Sequence, residues 1–240
     1  MGTDLIDFHT HILPCLDDGS KSVEMSLSML REETEQGVRH VVLTPHFYAR
    51  HDDPDRFLAS REAAAEALKA AVAEVPGLPT LHLGAEVAYF RGMSDCEILR
   101  DFCIGRTECI LVELPMTHWD GQIYRELGEL RSKQGLIPIV AHVDRYLSPL
   151  SANRVMASMQ ELPVLLQANS SFFLRRGTAS MALRMLRRGQ IQLLGSDCHD
   201  LTERAPNLGK AAERICRSHG EGALQELFAL GMKILSPVCT

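Results

Sequence analysis

Seven short apolar runs recur along this chain, and each ends in a metal-ligating side chain or a side-chain amide. Leu5-Ile6-Asp7-Phe8 runs into His9 and His11, Val41-Val42-Leu43-Thr44 into His46, and Leu81-His82-Leu83 through Gly84 into Glu86. Cys109-Ile110-Leu111-Val112 reaches Glu113, and Ile137-Pro138-Ile139-Val140-Ala141 reaches His142. Val164-Leu165-Leu166-Gln167-Ala168 ends at Asn169, and Ile191-Gln192-Leu193-Leu194 passes Gly195-Ser196 to Asp197 and His199. Such runs read as buried strands. Helical patterns separate them. Val23, Leu27, Leu30 and Thr34 repeat at helical spacing over 22–36, with Gly37 as a stop, and an Ala, Glu and Lys-rich stretch over 55–73 closes at Pro76-Gly77. Further helices are expected over about 119–134, 151–160, 178–188 and 205–230, the last breaking near His219-Gly220.

Strand followed by helix, about seven times, predicts a parallel sheet. Ligand types at the carboxyl ends of successive strands predict that it closes, because a closed α/β barrel gathers its site on that face. The expected fold is therefore a distorted (β/α)7 TIM-like barrel, with residues 1–240 forming one domain. An open doubly wound sheet is the alternative, but it would concentrate ligands at one switch point.

Of 240 residues, 45% are hydrophobic and 23% charged, which is enough to build a full core, and the net charge of −6 lacks the basic footprint of a nucleic-acid binder. Arg175-Arg176 and Arg184 to Arg188 read as solvated helix faces. Seven cysteines at scattered spacings, with no CxxC pair, suit a reducing cytoplasm rather than a disulfide framework. Asp4 and Asp7 interrupt the first apolar stretch, and no run reaches the roughly 18 residues of a membrane span, so neither a signal peptide nor membrane insertion is expected.

His9-Thr10-His11 at a strand end puts two imidazoles on one side of an extended chain. With Asp18, His46, Glu86, Glu113, His142, Asp197 and His199, nine candidate ligands gather near strand ends, more than one catalytic ion needs. Two or three divalent ions are expected, and oxygen and nitrogen ligands without thiolate suit manganese, iron or zinc. Either glutamate could bridge two ions. Left unpaired at the end of an apolar run, each would be costly to bury. His40, His51, His82, His118 and His219 read as surface or satisfied histidines, with His118 also a candidate for the mouth of the site.

These motifs, D-F-H-T-H, T-P-H, V-E-L-P, A-H-V-D-R-Y and G-S-D-C-H, resemble the polymerase and histidinol phosphatase (PHP) superfamily over residues 5 to 210. H-T-H-I-L-P-C-L-D-D-G-S, L-T-P-H-F-Y, G-A-E-V and A-P-N-L-G-K-A resemble, more narrowly, the metal-dependent tyrosine-protein phosphatases of capsule and exopolysaccharide gene clusters, the CpsB/CapC type. That resemblance implies a trinuclear site, commonly supported by manganese, and a tyrosine autokinase as substrate. It implies ligand roles for His9, His11, Asp18, His46, Glu86, Glu113, His142, Asp197 and His199. One ion would take His9, His11, a glutamate and Asp197, a second Glu113 and His142, and a third Asp18, His46 and His199. Asp200 stands where such proteins often carry Asn, and Cys198 where a small residue is usual.

The expected chemistry is in-line attack by a metal-bridging hydroxide on a phosphate monoester. Arg145 and Arg204 would bind non-bridging oxygens, and His199 could protonate the leaving group. A structural ion pair is the competing reading for both arginines. Asp144, next to Arg145, could lower the positive potential there. A small-molecule phosphatase, such as one for histidinol phosphate, is the alternative enzyme, and a metal-stabilised interaction module the non-enzymatic one. Cys198 and Arg204 also satisfy C-x5-R, the spacing of a cysteine-dependent phosphatase, but His199, Asp200 and Glu203 would put carboxylates into its phosphate cradle. Phe47-Tyr48, Tyr89-Phe90-Arg91 and Trp119 either rim the mouth or cap the core. Sequence leaves the oligomeric state open, and an oligomer possible.

Overall fold

The apolar runs form strands and the periodic stretches between them form helices. The computed structural model describes residues 4–116, 119–147 and 152–236. In chain order the elements are β1 (Leu5–Thr10), α1 (Val23–Glu35), β2 (Val38–Leu43), β3 (His46–Phe47), α2 (Pro54–Ala73), β4 (Thr80–Leu83), β5 (Glu86–Ala88) and β6 (Cys109–Glu113). Then follow α3 (Gly121–Gln134), β7 (Ile137–Val140), α4 (Ala152–Gln160), β8 (Leu165–Asn169), α5 (Ser170–Leu174), α6 (Ala179–Arg187), β9 (Leu193–Gly195), α7 (Leu208–His219) and α8 (Glu221–Leu235). Local chemistry sets the boundaries. Ser22, Asp53 and Asp120 accept hydrogen bonds from the first-turn N–H groups of α1, α2 and α3. Gly220, at φ 82°, separates α7 from α8 where the sequence predicts a break.

All paired strands are parallel. β2 and β3 make one stave interrupted at Thr44-Pro45, and β4 and β5 another interrupted at Gly84-Ala85, so the strands make seven staves. Backbone bonds span the interruptions, from Thr44 N–H to Thr10 O (2.9 Å), Gly84 N–H to Leu43 O (2.9 Å) and Glu86 N–H to Pro45 O (3.0 Å). Between β9 and β1 the ring closes, with Asp197 N–H donating to His9 O (2.8 Å) and His11 N–H to Cys198 O (2.9 Å). The distorted seven-stave barrel is thus the observed fold, and the open sheet is not.

Ile6, Phe8, Val42, Leu111, Ile139 and Leu193 fill the barrel, and a larger apolar layer lies between strands and helices. α8 closes the amino-terminal end so tightly that a Cβ on Gly231 would sit 2.7 Å from Ile6 Cδ1 and 2.9 Å from Phe8 Cε2. Beside it His40 Nδ1 and His82 Nε2 share a 3.1 Å hydrogen bond, so these histidines satisfy one another. In β1 the pairing with β2 shifts register between Asp7 and Thr10. That irregularity lets inward-facing Phe8 be followed by a His9 that reaches the site, while Asp7 turns outward toward Glu33 of α1.

Candidate metal centre

Eight of the nine candidate ligands stand at the carboxyl ends of the staves or just beyond, and Asp18 comes from the loop after β1. His142 (φ 31°) and Asp197 (φ 56°) occupy left-handed backbone that ends β7 and β9 abruptly and turns each side chain toward the mouth. Three sets have ligand atoms within 4.8 Å of one another: His11, Asp18, His46 and His199; His9, His11 and Glu86; and His46, Glu86 and Glu113. His142 joins them through Nε2, 2.9 Å from Glu86 Oε1 and 3.4 Å from Glu113 Oε1. Asp197 Oδ1 lies 3.7 Å from His9 Nε2 and 3.5 Å from His11 Nε2.

The donor set fits divalent metal. Glu86 Oε2, His46 Nδ1 and His199 Nε2 are buried without a hydrogen-bond partner. Yet His46 Nδ1 lies 2.9 Å from Glu86 Oε2, and His199 Nε2 lies 3.2 Å from Asp18 Oδ1. Lone pairs that converge this closely without hydrogen-bond geometry are what a shared cation resolves.

Burial favours neutral side chains here, and the clustered charges override it. Burial raises the Glu86 carboxyl, but His9, His11, His142 and His46 together hold it well below its usual range. Burial opposes protonation of His11, whereas Asp17 and Glu86 lift it to about 10, and Glu113 and Glu86 lift His142 to about 9. His199 goes the other way, down to about 4, through burial and the neighbouring positive charge of His11 and Arg204. Its Nδ1 bonds the Asp197 carbonyl at 3.0 Å, which leaves Nε2 free to face Asp18.

Supporting residues that the ligand types alone do not reveal fix these orientations. Asp17, whose side chain is 6% exposed, accepts His11 Nδ1–H at 2.7 Å and so aims Nε2 inward. Gln167 Oε1 accepts the His142 backbone N–H at 2.7 Å, which sets the amide's orientation, and lies 3.2 Å from His9 Nδ1. Its amide nitrogen donates to Asn169 Oδ1 (3.1 Å), and Asn169 Nδ2 donates to Asp197 Oδ2 (2.9 Å). The signals were present in the doubled acid of L-D-D-G and the two amides closing β8.

Arg145 and Arg204 both reach Asp197. Arg145 Nη2 bonds Oδ2, and Arg204 Nη2 bonds Oδ1 at 2.7 Å. Both guanidinium groups remain more than a third exposed at the mouth. Asp144 is committed to the Asn169 backbone N–H at 2.8 Å. Cys198 is fully buried, and burial together with Glu33 and Asp7 raises its thiol far above the ordinary range. In the C-x5-R loop, His199 N–H donates to Arg204 O (2.9 Å) rather than toward a phosphate cradle. The Asp200 N–H likewise meets Arg204 O, and the Thr202 and Arg204 N–H groups are taken by Asp200 Oδ1, so most of this segment's amides are committed internally beside a thiol that burial keeps protonated.

Phe47 and Trp119 belong to the core, Tyr48 is exposed and stacks on His46 with centroids 5.2 Å apart, and Tyr89 and Phe90 line a groove of about 470 Å³ beside Glu113. A second cleft, of about 570 Å³, opens on the His46 side. His118 lies outside the described residues.

A family model for capsular polysaccharide synthesis, CpsB/CapC, matches residues 5–235. The chain belongs to the CpsB/CapC family. Among CpsB/CapC relatives, it is 28% identical over 235 residues to the tyrosine-protein phosphatase CpsB of Streptococcus agalactiae serotype III (strain NEM316), covering 93% of this chain and 95% of that protein. In three dimensions it is similar, with a TM-score of 0.83 and 22% identity over 96% of this chain and 94% of the other, to a structure from work on YwqE of Bacillus subtilis and CpsB of Streptococcus pneumoniae, described as unique metal-dependent tyrosine phosphatases. It is also similar, with a TM-score of 0.57 and 15% identity over 91% and 94% of the two chains, to histidinol phosphate phosphatase from Lactococcus lactis, solved with zinc, L-histidinol and phosphate. These likenesses agree with the PHP-type barrel expected from the motifs.

Proposed function

We propose that this CpsB/CapC chain, over residues 1–240, is a metal-dependent protein-tyrosine phosphatase acting on the flexible tail of a tyrosine autokinase in capsule or exopolysaccharide synthesis. The supporting observation is the convergence of imidazole and carboxylate donors beside two guanidinium groups at an open barrel mouth. His9, His11, Glu86 and Asp197 would hold one divalent ion, Glu113 and His142 with Glu86 a second, and Asp18, His46 and His199 a third. Manganese is our first choice, and the same donors suit iron or zinc.

When bound, the ions would neutralise phosphate oxygens and make water a usable nucleophile near neutral pH. The chain's own residues do the rest. Arg145 and Arg204 present planar, bidentate donors that can turn from Asp197 to non-bridging phosphate oxygens. Asp17, Gln167 and Asn169 hold the imidazoles and Asp197 in place. His199 is kept neutral and serves as a ligand, which a phenolate leaving group tolerates because it needs little protonation. The free cysteines among the described residues suit a cytoplasmic enzyme, and among those residues no helix is long and apolar enough to cross a membrane.

The test is phosphate release from a phosphotyrosyl peptide by chelator-stripped protein, with manganese, zinc or magnesium restored, beside Cys198→Ala. Activity lost on stripping, regained with metal and indifferent to Cys198 is expected. Higher kcat/KM on histidinol phosphate than on any phosphotyrosyl peptide would refute the substrate, and activity dependent on Cys198 alone would refute the chemistry.

A further inference from the structure

The groove beside the metal centre has a chemistry of its own. It runs outward from Glu113 between the end of β5 with the residues that follow it (Ala88 to Arg91) and the segment after β6 (Leu114 to Met116). Tyr89 N–H donates to Glu113 O at 2.8 Å, so the groove wall is tied to a candidate ligand. Leu114 and Ile123 are buried in its floor, Phe90 and Pro115 are half-buried, and Met116 is 67% exposed, a thioether kept in water at the edge of an active site. About 470 Å³ falls within the roughly 300–1,000 Å³ of small-ligand pockets. That is more room than a phosphate needs and enough for an aromatic ring with a neighbouring side chain.

The charges facing this groove are Arg50, Arg91, Glu113 and Asp120. Two of them cancel, since Arg91 Nη2 bonds Asp120 Oδ2 at 2.8 Å and its Nη1 bonds Gln122 Oε1 at 2.7 Å. Glu113 faces the metal donors through the His142 contact at 3.4 Å. Arg50 is exposed and, among the described residues, enters no ion pair, so among them it is the basic charge of the groove left uncompensated.

We infer that this groove is the specificity subsite for the substrate polypeptide: Phe90, Pro115 and Met116 receive the ring of phosphotyrosine, and Arg50 selects an acidic residue flanking it. The inference rests on the phosphotyrosine reading above. Glu113 both lines the groove and belongs to the donor cluster, so a ring held against Phe90 and Pro115 would keep its phosphate beside the donors, whereas the short arm of phosphoserine would leave the apolar walls in water. Methionine adapts its shape to the ring, and the exposed arginine acts on encounter and orientation.

Metal-loaded enzyme should be assayed on two phosphotyrosyl peptides alike except for glutamates or lysines flanking the tyrosine. Wild type should prefer the acidic peptide in kcat/KM by about tenfold at low salt, the preference should shrink as salt is added, and Arg50→Glu should abolish or invert it. Phe90→Ala should raise KM for the acidic peptide about tenfold while the inhibition constant of inorganic phosphate stays within about twofold, which separates ring binding from phosphate binding. Equal turnover of the two peptides by wild type would overturn the charge selection and leave the phosphatase reading standing. A Phe90→Ala protein with unchanged KM would overturn the ring placement. Failure to hydrolyse either peptide, with the metal-loaded protein folded, would overturn this inference and the phosphotyrosine reading together.

Discussion

Replacing Asp17 with Asn asks whether His11 is set up as a ligand by the residue behind it. The carboxylate serves three N–H donors: Oδ2 takes His11 Nδ1–H (2.7 Å) and His46 N–H (3.0 Å), and Oδ1 takes Gly19 N–H (2.8 Å). An amide has one acceptor oxygen. If that oxygen stays on His11 and His46, the new NH2 faces Gly19 N–H, and the donor clash costs about 1–3 kcal/mol in the loop that carries Asp18. If the amide flips, it donates to His11 Nδ1 and drives the ring proton to Nε2, the nitrogen 3.1 Å from His9 Nε2 and 3.4 Å from Glu86 Oε2. A protonated nitrogen cannot bind metal. Both routes weaken the site, and losing such an orienting partner costs about 10–100-fold in affinity, or about 1.4–2.7 kcal/mol. The assay is calorimetric titration of chelator-stripped Asp17→Asn with manganese and with zinc, alongside thermal unfolding. Wild-type affinity for both metals in a normally folded variant would refute the reasoning.

At Gly195 an added Cβ would lie 2.6 Å from His9 Cβ and 3.0 Å from His9 N, so Gly195→Ala should cost about 1–3 kcal/mol by overpacking and weaken metal binding, read as a lower Tm and a higher Kd. Cys198→Ala should keep full metal-dependent activity and lose about 1–2 kcal/mol of stability from the void left in the core, measured by urea unfolding beside turnover. His82 is lowered from 6.5 to about 4 by burial and then by His40, so its contribution is complete above pH 6.5 and is lost as pH falls toward 4. Solvent screening of this partly exposed ring reduces the effect to about 1–2 kcal/mol. His82→Gln should flatten the wild-type loss of stability between pH 6.5 and 4, and identical pH profiles would refute the assignment. Arg204→Ala should raise KM for phosphotyrosyl peptide about tenfold and weaken inhibition by phosphate in parallel, whereas a change in Tm alone would make Arg204 a structural partner of Asp197.

The barrel was legible because a parallel stave buried on both faces must be apolar throughout, and seven such runs leave little choice of architecture. The interruptions at Thr44-Pro45 and Gly84-Ala85 were not read as bends within single staves, since only pairing partners reveal that β2 continues into β3. Asp7 shows the limit most plainly. Simple alternation would place it on the face of His9 and His11, but the register shift after Asp7 changes the phase, so His9 turns inward while Asp7 stays outward between Ile6 and Phe8, where Ser196 N–H bonds its carboxylate at 2.9 Å and burial raises both it and Glu33. The convergence of the candidate donors was legible because all but Asp18 stand at the end of an apolar run or just beyond, and the closed barrel brings those ends to one mouth. The residues aiming them were not, since Asp17 and Gln167 are ordinary polar residues until their distances to His11, His9 and His142 are known.

The two left-handed residues at the mouth connect these points. Ordinary side chains avoid positive φ, and holding one there costs of the order of 1 kcal/mol or more unless the surroundings compensate. His142 and Asp197 both accept it, at φ 31° and 56°, and both are tied by the Gln167 and Asn169 amides. A glycine would relax either backbone but would remove a donor from the cluster. Substituting the amides instead leaves the donors in place and removes only what holds them. Gln167→Leu deprives the His142 N–H and the His9 ring of their shared acceptor, so it should cost about 1–3 kcal/mol of stability and weaken metal binding together. Metal affinity unchanged in a destabilised Gln167→Leu protein would mean that the strained turns serve the fold alone.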